Sequence, residues 1–452
     1  MADEKPVAWA SDNPKEPNAA AIAAAQSTGV KTRAGRCCNR WCCCCGPVLS
    51  GRCAKLCCCC TWTLPFVLAL VLSAYWIVVG VVITPVFTKA AGKADEVCKY
   101  SSGDSSSNGG RGNSPHDWRM ESPKRDALAA IDGNDGRHDL LAGDPQPNYF
   151  DASPYLNITE QEYELVAFTS RGDGVRLLGW LASRGNGSKA VILTHGHSAC
   201  KSKYDVLMSG NLLWMAGYTV FLIDLRNSGD SARKASGELD YTFGLLEYQD
   251  TLGAWDYLQA QGWGASAVGL WGGSMGGSTT LIALASEPLV ACAWLDSMMC
   301  VPKQSMKNSA FNEVATLRSL NGTGFGSMLF DSVWMLFNAK TPVDLDGDTA
   351  LALAPQLAAS QAAYFVSTVG DMTTGWKETK DCYEAAQKSP AGAAGGLSWH
   401  QYDDRADFAT GTANGVYSSE ATNNFDTHMQ APLYYTDDYA ARMTGFFASC
   451  LA

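Results

Sequence analysis

The sequence predicts an α/β protein whose doubly wound, mostly parallel sheet carries helices on both faces, preceded by one transmembrane helix. Three observations predict it. From about residue 190 onward, apolar runs of strand length alternate with helix-length periods, the pattern that builds parallel sheets with right-handed crossovers. The run Ala267 to Trp271 leads into Gly272-Gly273-Ser274-Met275-Gly276-Gly277, a Gly-x-Ser-x-Gly sequence that reads as a strand ending in a sharp turn with its serine held proud of the sheet. From Leu64 to Phe87 the chain is almost wholly apolar, and no charge falls between Lys55 and Lys89, enough for the roughly 20 residues of a membrane-spanning helix.

That apolar segment organises the N-terminal part. Lys31, Arg33, Arg36, Arg40, Arg52 and Lys55 precede it without a nearby acid, whereas Lys89, Lys93 and Lys99 are mixed with Asp95 and Glu96. The positive-inside rule therefore puts the N-terminus in the cytosol and everything after Phe87 in a lumenal or extracellular space. The expected layout is a cytosolic tail with a Cys-rich juxtamembrane segment (1–61), the membrane helix (62–88), a linker or stalk (89–155) and a catalytic domain (156–452). The sequons at Asn157, Asn186 and Asn321 agree with that side. Of 17 cysteines, 11 lie between Cys37 and Cys60. Juxtamembrane cysteines among basic residues suit S-palmitoylation; a metal site is the alternative, although contiguous cysteines lack the paired spacing of a tetrahedral centre. The other six, Cys98, Cys200, Cys292, Cys300, Cys382 and Cys450, are an even number on the expected oxidising side. Their pairing stays open, with a free buried thiol as the alternative at Cys292. Net charge is −11, and the acidic excess falls after the apolar segment, which argues against nucleic acid as a partner. Membrane lipid and a small-molecule, lipid or peptide substrate are the expected partners; oligomeric state is not legible.

Taken in order, Glu164 to Thr169 and Val175 to Ala182 read as a hairpin joined at Arg171-Gly172-Asp173-Gly174. Ala190 to Thr194 and Thr219 to Ile223 are short buried strands around a helix from Tyr204 to Ala216, followed by a helix from about Phe243 to Gln259. The strand into Ser274, a helix from Ser274 to Ser286 and a strand from Val290 to Leu295 come next. In such sheets ligands sit at the carboxyl ends of the strands, where Ser274 emerges.

A serine hydroxyl needs a base and an anion site before it is a useful nucleophile. Among six histidines, His116 and His138 read as surface residues and His400 as a strand residue. His428, just before a C-terminal helix from Asp438 to Ala448, stands where a base belongs in the order serine, acid, histidine. For the acid, the strand Ala363 to Val369 opens into a turn bearing Asp371, with Asp296 as its rival. Asp224 reads as a loop anchor, and Asp344, Asp346 and Asp348 as a turn without the remaining calcium-loop pattern. The backbone N–H groups of His197, in Thr194-His195-Gly196-His197-Ser198, and of Met275 are candidates for an oxyanion hole.

Together Thr194-His195-Gly196, Gly217-Tyr218 through Asp224-Leu225-Arg226 to Ser231, Gly272 to Gly277, Asp371 and His428 resemble the α/β-hydrolase fold. The resemblance covers about residues 160 to 450 and is nearest to the serine aminopeptidase-like and abhydrolase branch related to the prolyl-oligopeptidase catalytic domain. It implies an eight-stranded, mostly parallel sheet, a Ser274-His428-Asp371 triad, no metal or organic cofactor, and a cap between the sixth strand and the acid strand. The cap falls at about 298–357, where Met328, Phe330, Trp334 and Phe337 line a substrate pocket or fill the cap's own core. The turn before Asp371 reads Ser367-Thr368-Val369-Gly370 where relatives usually show His-Gly. The function so implied is a membrane-anchored serine hydrolase acting on an ester, thioester or amide. A non-catalytic hydrolase-like binding module is the competing class, favoured if Asp371 or His428 lies remote from Ser274. The cysteine cluster also resembles that of depalmitoylating abhydrolases, a thioesterase reading that needs the domain in the cytosol.

Overall fold

The computed structural model describes residues 67–84, 158, 162–197, 199–231, 241–313, 317–371, 373–402 and 428–452. The expected tail, cysteine cluster and stalk, with His116, His138, Asn157 and Cys98, lie outside them. Eight strands form one sheet in the order β1-β2-β4-β3-β5-β6-β7-β8. They are β1 (Tyr163–Thr169), β2 (Arg176–Ala182), β3 (Ala190–Thr194), β4 (Thr219–Ile223), β5 (Val268–Gly273), β6 (Cys292–Asp296), β7 (Ala362–Thr368) and β8 (Leu397–Tyr402). The β1–β2 and β2–β4 pairs are antiparallel, and the rest, from β4 through β8, are parallel. This is the α/β-hydrolase order. The central strands, such as Ala190–Thr194 and Thr219–Ile223, are buried at every position, which is why they read as continuous apolar runs and not as alternations.

The long helices are α1 (Tyr204–Met215), α2 (Tyr248–Ala260), α3 (Met275–Ser286), α4 (Pro302–Glu313), α5 (Gly324–Asn338), α6 (Trp376–Ala386) and α7 (Thr436–Cys450). Two apolar clusters divide between the faces of the sheet: α2, α3 and the cap pack on one, and α1 and α7 on the other. Most expected elements fall within two residues of their place, but α2 begins at Tyr248 and not near Phe243. Phe243 takes φ 55° and Gly244 φ 101°, which no helix accommodates, and the buried Glu247 carboxylate accepts from Thr242 N, Thr242 Oγ1 and Gly244 N at 2.7 to 2.9 Å. Local capping by one acid displaced the helix start.

The cap between β6 and β7 consists of α4, α5 and shorter turns. Phe330, Trp334 and Phe337 are buried and stack on one another and on Phe311 and Phe243. They form the cap's core, whereas Met328 is exposed.

Residues 67–84 are helical, with Val78–Ile83 in π-helical geometry. Among the described residues no helix is long and apolar enough to cross a membrane. Disulfides join Cys292 to Cys450 and Cys300 to Cys382, and Cys200 is disulfide-bonded as well. Cys292 is therefore not a free thiol. Asn186 and Asn321 of the sequons are exposed.

Candidate active site

Ser274 stands between β5 and α3 with φ 56° and ψ −124°, a conformation that L-residues rarely hold. The surrounding glycines show what holds it. A Cβ on Gly272 would lie 2.2 Å from the Gly276 carbonyl oxygen, one on Gly276 2.2 Å from that of Thr194, and one on Gly277 2.7 Å from Met298 Cβ. Any side chain there would push α3 off the sheet, so three glycines let the strand turn into the helix within one residue. The backbone is pinned too: Ser274 N donates to Asp296 O at 2.9 Å, and Ser274 O accepts from Gly277 N and Met299 N.

The structure brings His428 and Asp371 to this serine. His428 Nε2 lies 2.9 Å from Ser274 Oγ, and its Nδ1 lies 2.9 Å from Asp371 Oδ2. The two ring nitrogens thus bridge hydroxyl and carboxylate, the arrangement in which an imidazole takes a proton from one and is oriented by the other. Neither His428 nor Asp371 is remote from Ser274, the separation that would favour a non-catalytic module. Asp371 is held by a turn: its Oδ1 accepts from Thr373 N at 3.0 Å, Thr374 N at 2.9 Å and Gly375 N at 3.3 Å, and Oδ2 accepts from Thr374 Oγ1 at 2.7 Å. Burial pushes this carboxyl up, but the His428 charge and the hydrogen bonds from His428 and Thr374 outweigh it and hold Asp371 below the usual range.

On the oxyanion side, Met275 is the first residue of α3, where an N–H has no intrahelical partner and the helix dipole favours negative charge. Facing it, a Cβ on Gly196 would lie 3.0 Å from Ser274 Cβ and 3.4 Å from Oγ, so the turn leading into His197 runs directly beside the hydroxyl. The His197 ring rests against Tyr241 and Phe243 at centroid distances of 4.8 and 5.6 Å.

The remaining candidates are structural. His195 is buried and accepts Leu225 N at Nε2; burial lowers its pKa, which keeps the ring neutral. His400 stays on β8 with its ring edge-on to Tyr402. Asp224 is paired with buried Lys201 and accepts Lys201 N and Asp230 N. Asp344 and Asp346 bind Asn338 and, for Asp346, Trp334 Nε1; among the described residues no acid, His or Cys group is arranged to hold a metal. Asp296 makes no hydrogen bond to His428. It accepts from Tyr439 OH at 2.8 Å and Ser297 Oγ at 3.0 Å, and burial raises it to about 7 against these bonds. Sequence reading missed Thr374 as the acid's second support. The turn signal Asp371-x-x-Thr374 was present, since Asp and Thr side chains bind backbone a few residues on.

Fold and site define an α/β-hydrolase whose serine, histidine and aspartate form one hydrogen-bonded chain. Residues 207–320 match the prolyl oligopeptidase family of S9 peptidases, and that match supports a serine hydrolase. It spans β4 to β6, the Ser274 turn and the first part of the cap, and stops short of Asp371 and His428. Among curated proteins no match is found. Similar solved structures include an esterase of Pyrococcus furiosus, 18% identical with a TM-score of 0.47, over 64% of this chain and 92% of that one. The acylaminoacyl peptidase of Pyrococcus horikoshii is 16% identical with a TM-score of 0.41, over 64% of this chain and 42% of that one. Dipeptidyl peptidase 4 of Porphyromonas gingivalis is 16% identical with a TM-score of 0.42, over 64% of this chain and 35% of that one.

Proposed function

We propose that this chain is a membrane-anchored serine hydrolase that cleaves an ester, thioester or amide through an acyl-enzyme. The observation that carries the reading is the chain Ser274 Oγ, His428, Asp371 with both links at 2.9 Å. As Ser274 Oγ attacks the substrate carbonyl carbon, its proton passes to His428 Nε2, and the ionised Asp371 stabilises the imidazolium at Nδ1. The carbonyl oxygen becomes an oxyanion that the His197 and Met275 N–H groups receive. On collapse the bond to the leaving group breaks, and His428 returns the proton to that group. A water molecule then repeats the sequence on the acyl-serine, giving the acid and free Ser274. No metal or organic cofactor enters these steps.

The anchor rests on the uncharged stretch from Leu56 to Thr88 and the basic residues before it. Disulfides at Cys200, Cys292, Cys300, Cys382 and Cys450 support a catalytic domain on the non-cytosolic side, where such bonds persist. That side disfavours a thioesterase acting on acyl-proteins in the cytosol.

Fluorophosphonate labelling of the full-length protein and of Ser274→Ala tests the proposal. Labelling of the parent and none of the variant is expected; a folded parent that takes up no probe refutes the activated nucleophile. Peptide N-glycosidase treatment of cell-expressed protein reads the topology through Asn186 and Asn321, and an unchanged mobility in both the parent and sequon variants counts against the lumenal side.

A further inference from the structure

Among the described residues five non-glycines hold positive φ: Asn227, Phe243, Ser274, Ser297 and Met429. Four of them bear on the active site. Ser274 is the nucleophile; Met429 follows His428; the Ser297 carbonyl oxygen lies 3.1 Å from the Thr374 hydroxyl that donates to Asp371. Strained backbone collects where the surrounding structure over-determines a geometry, and at three of these positions the geometry in question is that of the serine, the histidine or the acid.

Phe243 is the fourth and is not explained by the proton relay. At φ 55° it is a bulky side chain in a region that Gly occupies without steric cost and Asn more readily than other residues. Its loop is fixed from two sides. The wholly buried Glu247 carboxylate takes Thr242 N, Thr242 Oγ1 and Gly244 N, and Gly244 lies so close to α3 that a Cβ would come within 3.0 Å of Thr279 N. The strained backbone turns the Phe243 ring nearly parallel to the His197 imidazole, 12° apart at 5.6 Å. The same ring meets the cap, with Trp334 at 6.2 Å and Phe337 at 6.1 Å. Tyr241, from the same loop, supports the imidazole at 4.8 Å and is tied by its hydroxyl to Ser228.

We infer that Phe243 is a positioning residue: its strained backbone and stacked ring hold the His197 peptide beside Ser274 and couple the oxyanion side of the site to the cap through Trp334 and Phe337. A core-filling role alone explains the burial of this ring but not the backbone conformation, because a glycine or asparagine loop with the ring supplied from elsewhere carries no such strain. The inference rests on the proposed hydrolase reading and assigns a residue that reading does not use. It predicts that the ring matters most when negative charge develops on the carbonyl oxygen, since an oxyanion donor displaced by about 1 Å costs up to ~10²-fold in rate.

The test uses the full-length protein with p-nitrophenyl butyrate and its thiono analogue as probes, in the parent, Phe243→Ala, Phe243→Gly and Trp334→Leu. Phe243→Gly adopts φ 55° without strain, so it removes the ring while easing folding of the loop; circular dichroism checks the fold of each variant. Expected are a fall in kcat of ~10- to 100-fold in both Phe243 variants, KM within about threefold, and a smaller preference for the ester over the thionoester, because sulfur fits a well-formed oxyanion hole poorly. Trp334→Leu shifts both in the same direction by less. Folded Phe243→Gly with parental kcat and parental ester to thionoester ratio, or a change in KM alone, overturns the inference while leaving the hydrolase reading standing. In a folded parent that turns over neither ester, the rate of fluorophosphonate labelling takes the place of kcat, and a parent that takes up no probe refutes the hydrolase reading and this inference with it.

Discussion

Asp296 and Asp371 follow the same plan, a carboxylate at or just beyond the carboxyl end of a buried parallel strand, and β6 and β7 are neighbours in the sheet. Both side chains are withdrawn from solvent, yet their electrostatics part. Asp371 accepts three backbone amides, the Thr374 hydroxyl and the His428 imidazole, and stays below the usual carboxylate range. Asp296 accepts two hydroxyls, from Tyr439 and Ser297, and is raised to about 7 by burial. The difference teaches that position at the strand end does not make a catalytic acid. The groups that replace water do, because the His428 charge and the hydrogen bonds from His428 and Thr374 stabilise the ionised form of Asp371, where two hydroxyls do not offset desolvation at Asp296.

The sharpest way to break this comparison is to remove the charge from each acid in turn. Asp371→Asn is expected to cost on the order of 10⁴ in kcat, the scale seen when the acid of such a triad becomes an amide and the imidazole loses its tautomer control. Asp296→Asn keeps an acceptor for Tyr439 and a donor for Ser297, and is expected to stay within about tenfold of the parent. Steady-state ester hydrolysis by the two variants decides it. Equal losses would mean that both carboxylates address His428.

The second contrast is in stability against pH. A carboxyl raised in the folded state binds its proton more tightly there than in the unfolded chain, so its contribution is fully present below the unfolded value near 4 and is lost as pH rises through the folded value. Asp296 is raised to about 7 and Glu378, buried against Ser305 and Val301 N, to about 8, each by burial. For Asp296 the loss is on the order of 4 kcal/mol. Asp371, with its lowered value, contributes the opposite way, with its stability present above about 4 and lost on acidification. Thermal melts between pH 5 and 8 should therefore decline in the parent, and Asp296→Asn should roughly halve the decline up to about 7, leaving the share of Glu378. A parental slope in that variant would show Asp296 already ionised in the fold.

How much of this was written in the sequence follows the range of the interactions involved. The strand before Ser274 and its four flanking glycines were legible because a buried parallel strand is a contiguous apolar run and a tight strand-to-helix turn demands small residues in sequence order. Asp371 and His428 stood out from chain order and from a strand opening into a small-residue turn. The Asp296–Tyr439 pair was not legible, since 143 positions separate its members and neither residue type announces a partner. The disulfide partners of Cys292 and Cys300 were hidden for the same reason. Phe243 was misread as the start of a helix because Glu247, an ordinary helix residue by propensity, caps the loop ahead of α2. Only the folded backbone reveals the strain there.

The smallest expected effect concerns Thr374, whose hydroxyl lies 2.7 Å from Asp371 Oδ2, 3.1 Å from Ser297 O and 3.4 Å from His428 Nδ1. One hydroxyl has one proton to give, and the shortest contact, to the charged acceptor, is the strongest of the three. Thr374→Val keeps the shape and removes that donor, leaving Asp371 its three amides and the imidazole. If the surplus of donors is what separates Asp371 from Asp296, the loss should be graded and not absolute: about a tenfold fall in kcat with KM unchanged, a stability loss of ~1–2 kcal/mol for one lost hydrogen bond to a carboxylate oxygen that keeps His428, and recovery in Thr374→Ser. A fall as deep as that of Asp371→Asn would mean that the hydroxyl, and not the amide turn, keeps the acid ionised, and the contrast with Asp296 would then rest on a single side chain.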